Sequence, residues 1–185
     1  MKKLSGTLLS LLMSLGSPLT HGDTAEAQDC LPGLDEEAKR LHSSETINLC
    51  ESFRNRPLLI VNTASYCGFT PQFESLEKIH KDYEGSGLAV IGFPSNDFHQ
   101  ESSLESETAA VCYKNYGVSF VMVAPVKVTG PNAHPIFKHL SDETSAPRWN
   151  FTKYLVNRDH QVVDRFGSNI EPDSAAMRTA IETVL

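Results

Sequence analysis

Two uninterrupted apolar runs, Leu58-Leu59-Ile60-Val61 and Leu88-Ala89-Val90-Ile91-Gly92-Phe93, constrain this chain more than any other feature. Short runs without a polar break are expected of strands covered on both faces. Between them Phe73, Leu76, Ile79, His80 and Tyr83 recur at helical spacing. Pro71 suits the first turn of that helix, and Gly85 and Gly87 stop it. Strand, helix and strand within about 35 residues make a βαβ unit, with parallel strands and a right-handed crossover.

Downstream, the pattern predicts a polar loop over 94–104 and a helix over Glu105–Asn115. An extended stretch over Phe120–Val128 and a short helix over Pro135–Leu140 follow. Tyr154–Val156 and Val162–Phe166 form a hairpin about Asn157-Arg158-Asp159-His160. Asp173 is placed to cap a last helix with Ala176, Met177, Ile181 and Leu185 inward. Residues 28–56 read as polar and irregular. No repeat or interdomain linker interrupts the chain, so one α/β domain over 58–185, with a mixed central sheet flanked by helices, is expected behind an N-terminal extension over 28–57.

Residues 1–27 read as a removable secretory leader. Lys2 and Lys3 precede the apolar stretch Leu8–Leu15, and Ala25-Glu26-Ala27 gives the small-residue cleavage pattern. The apolar stretch is far short of the ~20 residues that span a bilayer. The expectation is an exported protein, periplasmic or secreted, with no stable membrane insertion. Its formal charge of −7 lacks the basic stripe that a phosphate backbone requires, which argues against nucleic-acid binding. The seven histidines are scattered, without the close pairs of zinc sites, so neither a metal nor a cofactor is expected. Cys30, Cys50, Cys67 and Cys112 all follow the leader. Export permits disulfides, yet four cysteines allow three pairings and spacing does not choose among them.

Cys67 stands just after the first strand and just before the helix at Pro71. A thiol there meets the positive end of the helix dipole, which favours the thiolate, the nucleophilic form. The surrounding residues, Val61-Asn62-Thr63-Ala64-Ser65-Tyr66-Cys67-Gly68-Phe69-Thr70, resemble the V-N-x-A-S-x-C-G-x-T motif of the glutathione peroxidase family. Gly92-Phe93-Pro94-Ser95-Asn96-Asp97-Phe98-His99-Gln100-Glu101 is similar to its G-F-P-x-N-Q-F-x-x-Q-E segment. Trp149-Asn150-Phe151-Thr152-Lys153-Tyr154-Leu155-Val156 matches W-N-F-x-K-[FY]-L-V. Ala133-His134-Pro135 and Arg165-Phe166 fall where that family has A-H-P and R-[FY]. Here Asp97 replaces a Gln, the loop is one residue shorter, and Val121 replaces a Pro.

The resemblance implies a thioredoxin-like fold and a catalytic tetrad of Cys67, Gln100, Trp149 and Asn150. Indole and amide N–H donors can stabilise a thiolate and the charge that develops as a peroxide O–O bond breaks. The same resemblance implies that Cys112 resolves an oxidised Cys67, giving a 67–112 disulfide for a thioredoxin-like partner to reduce, with glutathione as the alternative donor. Cys30 and Cys50, outside the family core, are then left to form a structural disulfide. The eight residues between Leu140 and Trp149 leave no room for the insertion of tetrameric members, so a monomer is expected. The substrate would be hydrogen peroxide or an organic or lipid hydroperoxide. Rival readings are a thiol oxidoreductase, which lacks its C-x-x-C; a peroxiredoxin, which lacks the Pro of its T-x-x-C setting; and a sensor passing oxidation to a partner protein.

Overall fold

In the computed structural model, which describes residues 30–185, the two apolar runs become the middle strands of a five-stranded sheet. The proposed leader lies outside the described residues. Strand β3 (Leu58–Thr63) pairs in parallel with β4 (Ala89–Pro94), joined through helix α2 (Gln72–Tyr83). Beyond β4 lies the two-residue parallel strand β5 (Val121–Met122). On the other side of β3, β6 (Lys153–Val156) and β7 (Val162–Phe166) add in antiparallel fashion as the predicted hairpin. The sheet is therefore mixed, in the order β5-β4-β3-β6-β7.

Successive side chains of a strand point to opposite faces, and here both faces are covered. Leu59, Val61 and Val90 enter one core with Phe73, Leu76 and Ile79 of α2 and Met177 and Ile181 of α5 (Ala175–Glu182). Leu58, Ile60, Ala89 and Ile91 enter the other, against Ile136, Phe137 and Leu140 of α4 (Pro135–Glu143). Each fully buried side chain of this size contributes about 1.5–3 kcal/mol. Two such layers explain why the runs carry no polar break.

The N-terminal segment is more ordered than its polar composition suggests. It forms a small hairpin of β1 (Glu37–Lys39) and β2 (Thr46–Asn48), then the short helix α1 (Leu49–Phe53). Leu31, Leu34, Leu49 and Phe53 cover the second face of the sheet, so four spaced apolar residues outweigh their charged neighbours. A Cys30–Cys50 disulfide, with Cα atoms 5.7 Å apart, ties the start of this segment to α1. The Leu31 N–H also donates to His160 Nδ1 across 3.1 Å, fixing the segment to the β6–β7 turn. Replacing both cysteines by serine is expected to lower unfolding stability by about 3 kcal/mol, from the chain entropy of a 20-residue separation. Urea denaturation measures this, and peroxide kinetics should not move.

Three further details differ from the sequence expectation. The helix predicted over Glu105–Asn115 is α-helical only as α3 (Glu105–Ala109), and residues 110–115 continue as a π-helical turn. Strand β5 keeps only two residues of the predicted stretch; on its outer side the Met122 carbonyl accepts the Leu41 N–H at 3.0 Å and Val123 bridges to Arg40. Ser174, not Asp173, caps α5, its Oγ accepting the Met177 N–H, while Asp173 pairs with Lys78 at 3.3 Å and Ala176 faces solvent. Among the described residues, no helix is long and apolar enough to cross a membrane.

Candidate active site

The end of β3 and the start of α2 are joined by a loop that holds Cys67 from several sides. The Thr70 hydroxyl accepts the Cys67 N–H at 3.0 Å and donates to the Ala64 carbonyl at 2.9 Å. The Cys67 carbonyl accepts the Thr70 N–H at 3.0 Å. Bonds from Gln72 to Phe69 and from Phe73 to Thr70 then wind the chain into α2. Backbone N–H groups ahead of a helix lack intrahelical partners. One of them, on Phe69, donates to the Cys67 sulfur at 3.4 Å. The thiol is free and only 7 % exposed.

Gln100 and Asn150 come together beside this loop. The Asn150 amide nitrogen donates to Gln100 Oε1 at 3.0 Å, and the Gln100 carbonyl accepts the N–H of Tyr66, next to Cys67, at 2.9 Å. Asn150 is fully buried, and its Oδ1 has no partner. Its carbonyl accepts the Ser168 hydroxyl at 2.6 Å. The neighbours of both amides are held in the left-handed region, His99 at φ 57° and the bulky, buried Phe151 at φ 61°. Non-glycine residues in that region cost of order 1–3 kcal/mol and cluster at functional sites. Packing holds Phe151 there: it meets Phe73 edge-on at 5.3 Å, and its N–H donates to the Asn62 carbonyl at 2.6 Å.

Trp149 is 41 % exposed and lies against Phe98, ring centres 5.4 Å apart, so it is no core residue. Among the described residues, the Phe69 N–H is the donor on the sulfur; the indole of Trp149 and the amides of Asn150 and Gln100 make no hydrogen bond to it. Trp149 and Phe69 instead wall a cavity of about 380 Å³ that Arg148, Arg165 and Thr152 also line. Arg148 is exposed, while Arg165 donates to the Ala146 carbonyl at 3.0 Å.

Cys112 is the second free thiol, fully enclosed in the π-helical turn and in the same apolar core as Cys67. Burial, then the charge of Glu101, push its pKa up to about 12. Among the described residues, no group of three His, Cys, Asp or Glu side chains could hold a metal ion.

Several supporting residues went unassigned in the sequence. Asn62, fully buried in β3, braces the 149–152 turn: its Oδ1 accepts the Thr152 N–H and its Nδ2 donates to the Trp149 carbonyl. Asp97, in the shortened loop, accepts the N–H groups of Val128 and Thr129 at 2.7 and 2.8 Å, so it anchors the loop instead of facing the thiol. Lys153 is buried and donates to the Ile170 carbonyl at 2.6 Å; burial pushes its pKa down to about 7. The only signal for these roles was their place inside the quoted motifs.

Comparison with known proteins identifies the family and the fold. Residues 34–141 match the family described as glutathione peroxidase. The chain is 42 % identical over 137 residues to a glutathione peroxidase of Lactococcus lactis subsp. cremoris, covering 71 % of this chain and 87 % of that protein. It is 41 % identical over 165 residues to a hydroperoxy fatty acid reductase of Synechocystis sp., covering 83 % and 95 %. The crystal structure of Trgpx in apo form superposes with a TM-score of 0.64 at 27 % identity, covering 83 % of this chain and 95 % of that one. The thioredoxin-like fold expected from the sequence is the fold observed.

Proposed function

The chain belongs to the glutathione peroxidase family, and from that membership we propose that it is a peroxidase in which Cys67 attacks the peroxide and Cys112 resolves the product. The Cys67 thiolate attacks one peroxide oxygen, the O–O bond breaks, and the other oxygen leaves as water or alcohol after taking a proton. Cys67 is left as a sulfenic acid. The Cys112 sulfur then displaces that hydroxyl as water and forms the 67–112 disulfide, which two electrons from an external dithiol return to two thiols.

The observation that carries this reading is the setting of one nearly buried thiol. A backbone N–H points at its sulfur, and the Gln100 carbonyl ties the adjacent residue to the amide pair of half-buried Gln100 and buried Asn150. Turning both amides over keeps their mutual hydrogen bond and exchanges the unpartnered Asn150 oxygen for an N–H donor. Negative charge on the sulfur or the departing oxygen selects that arrangement. Trp149, exposed on the wall of the cavity it shares with Phe69, adds an indole donor as substrate arrives. A thioredoxin-like dithiol is favoured over glutathione because a second buried thiol shares the core of the first. A monomeric, exported enzyme completes the reading.

Peroxide consumption by the full chain, with a thioredoxin system and with glutathione, tests this. Turnover faster by about tenfold or more with thioredoxin is expected, as for a dithiol reducing an internal disulfide. Oxidation of one equivalent that then stops with either reductant points to a sensor and overturns the proposal.

The two arginines beside Trp149 support activity on hydroperoxides that carry an acidic group. Arg148→Ala is expected to raise KM for a fatty acid hydroperoxide by about two- to fivefold at low salt, the worth of an exposed ion pair. Hydrogen peroxide kinetics should stay unchanged.

A further inference from the structure

Two carboxylates fasten the residues just before Cys67 to the helix that leads to Cys112. Glu101 is 7 % exposed, and its Oε1 accepts three bonds: from the Ser65 hydroxyl, from the Ser102 N–H at 2.8 Å and from the Thr108 hydroxyl at 2.9 Å. Ser65 lies two residues before Cys67; Thr108, fully buried in α3, lies four before Cys112. On the solvent side, Glu107 accepts from the Tyr66 hydroxyl at 3.0 Å and from Ser102 Oγ at 2.6 Å. Simple packing does not call for a buried carboxylate. Taking one from water is costly unless donors replace the water, and three donors on one oxygen do so here.

Resting on the two-thiol cycle above, we infer that Glu101 is a positioning residue, a latch that clamps α3 to the Cys67 loop and whose release sets the rate at which Cys112 reaches Cys67. Both thiols are free and enclosed, and on this reading the helix rearranges in each cycle to bring the two sulfurs into disulfide geometry, with Cα atoms within about 7 Å. The π-helical turn at 110–115 already departs from α geometry, and helices commonly deform at such turns. The stretch next to it is held inward by the Thr108 bond to Glu101, and on its outer side by the Glu107 bond from Tyr66 and by Glu105, which pairs with Lys39 at 2.6 Å and accepts the His42 N–H. Bonds to an ionised carboxylate are roughly twice as strong as neutral ones.

The latch also keeps the second thiol quiet. While it is closed, Cys112 is enclosed in apolar surroundings within the field of the Glu101 charge, and both keep its proton on. Release carries Cys112 away from that charge toward water, where a thiol ionises near 8.5. The motion that delivers the attacking sulfur therefore activates it too.

Thr108→Val, with Thr108→Ser as the conservative control, tests the latch. The reduced full-length chain is mixed with one equivalent of hydrogen peroxide, quenched at intervals with a thiol-blocking reagent, and its sulfenic acid and 67–112 disulfide are counted by mass spectrometry. The sulfenic phase of Thr108→Val is expected within about twofold of wild type. Its disulfide phase should run about tenfold faster, the shift from losing one hydrogen bond to a charged group. Hydrogen exchange of amides 108–116 in the reduced protein should accelerate by a similar factor, and Thr108→Ser should restore both. An unchanged or slower disulfide phase in a folded Thr108→Val overturns the latch and leaves the two-thiol cycle standing. A wild-type chain that forms no 67–112 disulfide overturns the cycle, and the latch with it.

Discussion

Serine in place of Cys67 is expected to lower kcat/KM for hydrogen peroxide by about three orders of magnitude or more, because a hydroxyl is not ionised near neutral pH and is a weak nucleophile toward oxygen. The change is small in volume, the side chain is 7 % exposed, and a hydroxyl oxygen can still accept the Phe69 N–H. The fold should therefore be kept, with a thermal midpoint close to that of wild type. A sulfenic-acid reagent should label Cys67 after one equivalent of peroxide in wild type and label nothing at that position in the variant. Residual activity above a tenth of wild type in a folded Cys67→Ser protein would remove Cys67 as the nucleophile. Asn150→Ala serves as the complement: the thiol remains, but the Asn150–Gln100 amide pair is broken, so the rate should drop without loss of the nucleophile.

Much of the fold was legible because the apolar pattern leaves few choices. Leu58–Val61 and the run through Phe93 are covered on both faces, and no arrangement but the middle of a two-sided sheet buries both sets of side chains. The α2 stripe and the β6–β7 hairpin follow from period alone. The N-terminal segment misled because its charges outnumber its apolar residues, while Leu31, Leu34, Leu49 and Phe53 are spaced so widely that only tertiary packing brings them together. The π-helical turn has no periodic signature, since its apolar residues read the same as those of an α-helix. At the site, the place of Cys67 followed from the strand-to-helix junction. Gln100, Trp149 and Asn150 were reached through family likeness, because an amide 50 residues from its partner leaves no local trace. Glu101 escaped for a different reason. A lone Glu in a polar loop reads as solvated charge, and its burial follows from where Ser65 and Thr108 lie in space.

Cys112→Ser should leave the first peroxide attack intact and lower steady-state turnover with a thioredoxin system by about tenfold or more, since the sulfenic acid then has no internal thiol to condense with. The same variant should also change how stability depends on pH, and here the sign is fixed by the thiol. Burial holds Cys112 protonated in the fold up to a pKa of about 12, against the ordinary thiol value of 9.0. Above about pH 9 the unfolded chain releases that proton and the folded chain does not, so stability falls as pH rises toward 12. Below pH 9 both states keep the proton and nothing is lost. Each unit of separation is worth about 1.4 kcal/mol, so the loss approaches roughly 4 kcal/mol at the upper end. Buried Tyr154 and half-buried Tyr113, also pushed up, contribute an alkaline slope of the same sign. The difference between wild type and Cys112→Ser cancels their share and isolates the thiol. Urea denaturation of both proteins at pH 8, 9.5 and 11 reads it directly. Parallel curves across that range would mean that Cys112 is solvated in the folded state. Burial would then not be what keeps the second thiol protonated, and its release from the core would not be what activates it.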